Sequence, residues 1–330
     1  MGALKKEQEE PHSPGKLSFC RAPVSLVLMY GKEIPFDIYI KLSDSKLIKL
    51  RNRDEDILNT LKQYVAKGVK EFYISKEDYL EFIQGTSQSL SHKFFNPQTV
   101  KTPEESLLLL NDAYEVVKES FKTIGVTEEA LSIAREVGKQ AVKTVEGVSN
   151  IFILFKDFKE NCSEEFMHHL LLAYTLSCVI DQFPWGSSAT KEKMSLAAIL
   201  CDVTLSKEDF QTLKDFSDDP DVLPEHIREH PIRVVELLQE RKNSVPKEVI
   251  DVIELHHELP NGKGFPRKVN HVRVSLLAAL FIVTSEFVDE LQKIEFDFGR
   301  RSELMHALFK KYHMGNFRKA IEAIAKLIEI

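Results

Sequence analysis

The stretch His256-His257-Glu258-Leu259-Pro260-Asn261-Gly262-Lys263-Gly264-Phe265-Pro266 decides how the rest of the chain is read. Upstream, residues 246–255 carry apolar residues at helical spacing, and Pro246 suits a first helical position. Downstream, Asn261, two glycines and a proline make a compact loop that needs positive φ or close backbone approach. Neighbouring residues on a helix point about 100° apart. Two adjacent imidazoles therefore reach one object only where the helix ends, and a metal cluster at that end explains the pair. The plainer alternative is a helix followed by a surface turn with two solvated histidines.

The pattern HHE-x3-G-x-G-x-P resembles the second signature of the HD-GYP family, the metal-dependent cyclic-di-GMP phosphodiesterases of bacteria. His256, His257, Glu258, Gly262, Gly264 and Pro266 carry the likeness, and Phe265 stands where the family has tyrosine. The resemblance implies an α+β chain: a small N-terminal α/β unit followed by an all-α HD-GYP-like helical bundle. It further implies a divalent metal of the iron, manganese or zinc type, and a cyclic dinucleotide as ligand.

Further blocks of the family pattern fall in the same order along the chain. His168 is taken as the lone histidine of the first helix, because Leu172-Ala173 then fall on the family's apolar pair; His169 is the alternate. The namesake His-Asp dipeptide corresponds to Cys201-Asp202, with Thr204 for the family's glycine and Leu205 for its lysine. His230-Pro231 matches the histidine-proline pair that heads the next helix. The last block places Glu286 at a ligand position that is aspartate in the family, with Asp289 three residues on.

By family roles, one metal would be held by Asp202, His230, His256 and His257, a complete set. The other would use His168, Cys201, Asp202 and Glu286, altered at two positions. Asp202 would bridge the two, since a carboxylate has two oxygens to offer. Cys201 ligates only as a thiolate, whereas a buried neutral thiol is the ordinary state. Glu258 and Asp289 are the candidates for holding the ligating imidazoles. Gly262, Gly264, Phe265 and Pro266 would form the ligand-binding loop. The resemblance thus implies a divergent member with weak or absent phosphodiesterase activity and a role in binding a ligand or a protein partner. The alternative is an active metal-dependent cyclic-di-GMP phosphodiesterase.

The organisation around this centre follows from composition and periodicity. A chain of 330 residues has room for two domains. A net charge of −7 argues against a nucleic-acid polymer as partner, which calls for a basic surface. Four scattered cysteines form no CxxC pair and point to a reducing compartment. The most apolar run, residues 272–283, is too short to span a bilayer and reads as a buried helix. A cytoplasmic protein is expected.

Residues 1–15 read as a disordered lead-in, and 16–92 as a small α/β domain of regulatory type. Phe36, Ile38, Ile40 and Leu42 alternate as a half-buried strand should, with a return strand at 46–50. A helix over 54–67, a strand at 71–74 and a helix capped by Ser75 follow. Residues 86–100 read as a polar linker, leading into a connecting region that is placed at 93–149. Its helices at 102–112 and 127–145 suit either a connecting layer or a homodimer interface. The bundle occupies 150–330, with helices at 164–180, 191–203, 246–257, 272–291 and 317–328.

Overall fold

The structure is a computed structural model and describes residues 18–30, 34–43, 46–51, 58–95, 102–146, 161–215, 220–241 and 244–328. The expected lead-in at 1–15 lies outside the described residues.

Near the N-terminus the strand signals become one antiparallel sheet. Strands β1 (Phe19–Pro23), β2 (Ile38–Ser43), β3 (Lys46–Arg51) and β4 (Glu71–Ser75) lie in the order β1-β4-β2-β3. Register is set by alternation. Cys20 and Ala22 of β1, Ile38 and Ile40 of β2, and Phe72 and Ile74 of β4 are all buried, and Cys20 pairs with Ile74. A one-residue slip would turn every one of these side chains to the opposite face. Helices α1 (Val24–Leu28), α2 (Leu58–Ala66) and α3 (Lys76–Phe95) accompany the sheet. Ser75 Oγ accepts from Asp78 N at 3.1 Å, the expected cap of α3. That helix runs unbroken to Phe95, so residues 86–95 are helix and not linker. Gln84, Gln88 and His92 lie on its exposed face while Thr86 and Leu90 are buried, so the polar composition of this stretch marks a helix face and not a break.

Two helices then join the sheet to the bundle: α4 (Pro103–Thr123) and α5 (Glu128–Glu146). Thr102 caps α4, with Pro103 at the first helical position and Glu104-Glu105 in the first turn. α4 is about twice as long as its apolar spacing suggested. Leu107, Leu110, Tyr114, Val117 and Phe121 bury one face of it. Packed against β1 on one side and α5 on the other, α4 is an internal layer.

The remaining described residues form an α-helical bundle of α6 (Glu164–Ile180), α7 (Ser188–Leu200), α8 (Lys207–Lys214), α9 (Glu225–Arg228), α10 (His230–Gln239), α11 (Lys247–Leu255), α12 (Leu276–Lys293), α13 (Arg301–Lys311) and α14 (Gly315–Ile328). Ser163, Ser187, Ser206 and Ser275 each accept a backbone N–H at a helix start, a contact worth about 1 kcal/mol apiece. The fold is α+β. α6 is buried nearly all round and packs on α5, α7 and α12, so it is the central helix. The apolar run at 272–283 does become a buried helix, but only from Leu276. Val272 is exposed, because Ser275 supplies the cap three residues later. No described helix is long and apolar enough to cross a membrane.

Candidate metal centre

Five helices end or turn toward one buried point. α7 stops at Leu200, leaving Cys201 as its C-cap and Asp202 just beyond. His230 is the first residue of α10, and Pro231 fits there because its missing N–H would have no helical partner. His256 is the C-cap of α11, with His257 one residue past it. α6 contributes His168 and His169 from its buried middle, and α12 passes with Ser285, Glu286 and Asp289.

Around Asp202 the two carboxylate oxygens face different groups. Oδ1 lies 2.9 Å from His230 Nε2 and 3.5 Å from His256 Nε2. Oδ2 lies 3.0 Å from His169 Nε2, with the Cys201 sulfur 3.6 Å away. Ligand atoms of Asp202, His230, His256 and His257 all fall within 4.8 Å of one another, as do those of His169, Cys201 and Asp202.

Hydrogen-bond directions show what this cluster lacks. His230 Nδ1 is 2.6 Å from the Ile227 carbonyl, and His256 Nδ1 is 2.6 Å from the Ile253 carbonyl. A carbonyl only accepts, so both Nδ1 atoms carry hydrogen. In the neutral rings Nε2 is then a bare lone pair. These two lone pairs face each other at 3.2 Å and face Asp202 as well. Asp202 Oδ1 and His257 Nε2 are buried without an aligned hydrogen-bond partner. Such orphaned polar atoms are costly unless a partner lies among them, and the residues present fit a divalent metal ion.

Electrostatics favours the ligating forms. Burial pushes the His257 and His230 imidazoles down, His257 well below its usual value, and holds His169 at about 4. Neutral imidazole is the form that binds metal. Burial opposes ionisation of Asp202, yet its carboxyl is held well below the usual range, above all by the His169 imidazole hydrogen-bonded to Oδ2 at 3.0 Å. Cys201 goes the other way: burial, and then the Asp202 charge, push its thiol well above the ordinary value.

Several expected roles fall elsewhere. His169, the alternate, meets Asp202, whereas His168 Nδ1 lies 3.0 Å from Asp289 Oδ1 and its Nε2 lies 3.3 Å from Ser285 Oγ. Adjacent residues of α6 point in different directions, and only one can face α7. Glu286 is outside both ligand groups. Lys311 Nζ donates to both its oxygens at 2.6 Å and the Tyr312 hydroxyl donates at 2.7 Å, so the carboxylate is held toward α13. Leu205, which stands for the family's lysine, is buried.

The glycine loop serves the chain itself. Glu258 is fully buried and accepts from Arg267 N at 2.6 Å and Val269 N at 3.0 Å, so it pins the loop and not an imidazole. A Cβ on Gly264 would collide with the backbone of His257, Glu258 and Leu259. Its missing side chain makes room for that turn and not for a ligand. Gly262 has φ +73°, where glycine is at ease. Phe265 is buried and stacks on His257 with centroids 4.5 Å apart and planes at 19°, and it packs with Leu223 and Ile227. The Phe265-Pro266 bond is cis.

A cavity of about 340 Å³ borders the cluster. Asp202, His256, His257 and Phe265 line one part of it, and Lys214, Lys293 and Lys311 another. Each lysine already meets a carboxylate: Glu164, Glu290 and Glu286 respectively.

Sequence reasoning missed the support behind His169. The Tyr114 hydroxyl donates to Glu165 Oε1 at 2.5 Å and lies 3.1 Å from His169 Nδ1, and Lys118 Nζ donates to Glu165 Oε2. All four side chains are buried. Burial pushes the Glu165 carboxyl up to about 7, against the pull of Lys118 and Tyr114. Glu165/His169 and Tyr114/Lys118 are both i,i+4 pairs, so each shares a helix face, a signal present in the sequence.

No protein-family model and no curated protein matches the sequence. Among solved structures the chain is similar to Bd1817, described as an HDG"Y"P protein from Bdellovibrio bacteriovorus. The match has a TM-score of 0.53 and 18% identity, covering 94% of this chain and 100% of that one. At this identity the likeness is one of fold.

Proposed function

We propose that this chain is a divergent HD-GYP-like protein. It binds one divalent metal at Asp202, His230, His256 and His257, and takes a cyclic dinucleotide of the cyclic-di-GMP type in the adjoining cavity, with slow or no hydrolysis. The observation that carries the reading is the set of bare nitrogens converging on the Asp202 carboxylate, two of them 3.2 Å apart. A fold shared with an HD-GYP protein supports it. The cavity volume, about 340 Å³, lies at the small end of the range for ligand sites.

A bound cation would supply charge to a phosphoryl oxygen and acidify a water. The chain's own residues do the rest. Asp202 orients the imidazoles, the Ile227 and Ile253 carbonyls fix two of their tautomers, and Phe265 shields His257. Slow cleavage is argued from the other side of Asp202. There Cys201 must lose a proton to ligate, and Glu286 is bound to Lys311 and Tyr312. With Leu205 in place of a lysine, a further positive charge is lost. One lost preorganised contact costs about 100- to 1000-fold in rate. The site then serves to hold a ligand or present it to a protein partner, in the cytoplasm, where four free cysteines are at home.

A second reading, an active phosphodiesterase, is favoured by the group His169, Cys201 and Asp202, which offers a second position once the thiol ionises. Measuring metal per chain together with cyclic-di-GMP binding and hydrolysis, under manganese, iron and zinc, separates the two. One metal with binding but little turnover supports the first. Two metals with sustained turnover establish the second. No metal under any condition defeats both.

A further inference from the structure

The chain has one tryptophan, Trp185, and it is 42% exposed. It stands in a tight turn, Phe183-Pro184-Trp185-Gly186, closed by Gly186 N donating to the Phe183 carbonyl at 2.9 Å. A Cβ on Gly186 would lie 2.3 Å from the Ile180 carbonyl oxygen, so the turn admits no larger residue there. Phe183 stacks on the indole with centroids 4.8 Å apart and planes at 25°. The ring is thus held before any ligand arrives, backed on one face by Phe183 while it lines an open groove of about 350 Å³.

Leu276 and Leu277 at the start of α12, and Glu248 and Asp251 on α11, line the same groove. Among the described residues no lysine or arginine lines it. Lys193 Nζ lies 2.7 Å from Glu248 Oε1 and Lys247 Nζ lies 2.5 Å from Asp251 Oδ2, both from outside the lining. The Lys247 side chain is 83% exposed, and a solvated pair four residues apart on a helix holds weakly. An indole, two aliphatic side chains and two carboxylates suit a cation carried on an apolar stem. A planar guanidinium stacks on a ring better than a compact ammonium does.

We propose that this groove docks an arginine-bearing segment of a partner protein. The guanidinium lies between Trp185 and Asp251, and neighbouring apolar residues of the segment rest on Leu276 and Leu277. The charge of the lining sets the sign of the partner, and tryptophan and arginine are both residue types that anchor interfaces. The groove lies at the opposite end of α11 from His256. Nine residues of helix separate them, about 14 Å at 1.5 Å per residue. The groove and the cavity at the metal centre share no lining residue, so docking does not depend on the metal-binding reading.

Because Trp185 is the only tryptophan, its emission reports on the groove directly. Full-length protein is titrated with a blocked synthetic peptide of alternating leucine and arginine, and with versions carrying glutamine or glutamate for arginine. The arginine peptide should give a saturable change in emission that weakens as salt is raised. The glutamine version should bind about tenfold more weakly and the glutamate version not at all. Combining the surface substitutions Glu248→Gln and Asp251→Asn should cut affinity for the arginine peptide about tenfold, with the melting temperature near that of the wild type. Trp185→Ala should weaken binding as well, read by anisotropy of labelled peptide. The absence of a saturable change, or equal affinity in the double variant, overturns the proposal. Equal binding of the glutamine peptide also overturns it, since the groove would then be a plain apolar contact. A wild-type dimer in sedimentation that Trp185→Ala dissolves would give the groove to a second copy of this chain and overturn it too.

Discussion

His230 Nε2 and His256 Nε2 face each other at 3.2 Å, each ring having given its other nitrogen's hydrogen to a carbonyl of its own chain segment. Two acceptors at that distance, with a carboxylate oxygen 2.9 Å from one of them, repel unless a cation lies among them. Removing either ring should therefore abolish metal uptake. His256→Ala and His230→Ala are expected to purify with metal near zero by elemental analysis. Added metal should raise the melting temperature of the wild type alone. At free metal about 100 times Kd the stabilisation is about 2.7 kcal/mol. An equal thermal shift in His256→Ala would sink the assignment.

Cys201 decides whether the second ligand group fills. Its thiol is buried and pushed well above its usual range, first by burial and then by Asp202. Cys201→His replaces it with a donor that binds while neutral. The expected result is a rise from about one to about two metals per chain, read by equilibrium dialysis. No gain would show that the group's geometry, and not thiol ionisation, limits it.

The two loop glycines should respond differently to alanine. At Gly264 the new Cβ meets backbone on three sides, and no side chain can swing away. A loss of at least about 2 kcal/mol is expected, with disturbance of the adjoining His257. At Gly262 the nearest atom to a Cβ is the Lys268 carbonyl oxygen, 3.6 Å away, so the cost is the positive φ alone, about 1–2 kcal/mol. Urea unfolding of both variants tests the order, and Gly262→Ala proving the worse would contradict it.

Glu165 gives stability a pH signature. Its carboxyl is raised from 4.5 to about 7 by burial, with Lys118 and Tyr114 pulling down and the Asp202 charge adding to the rise. Below pH 4.5 folded and unfolded chains both hold the proton. Between 4.5 and about 7 the folded chain keeps it longer, so this group's contribution falls as pH rises and reaches its full penalty above about 7. The penalty is roughly 3 kcal/mol at most. With a chelator present, the wild type should lose stability relative to Glu165→Gln between pH 5 and pH 8. Parallel curves would remove Glu165 as the source.

What the sequence by itself determined was largely local. Helix starts at Thr102, Ser75 and His230-Pro231 were legible because capping chemistry involves residues only a few positions apart. Strand β2 was legible in its alternation, with β3 as its return strand, and the His256-His257 pair in a helix that must end there, while the irregular β2–β3 register was not. Polarity alone misled at 86–95, where one solvated face of α3 looked like a linker. The tertiary structure decided which of two adjacent histidines faces Asp202, because that depends on how α6 is rotated in the bundle. It also decided that Glu286 belongs to Lys311 and Tyr312, 25 and 26 residues later. Tyr114 meets Glu165 across 51 positions, and no local rule links them. Helical spacing says which side chains share a face, but only the packing of one helix on another says what that face meets.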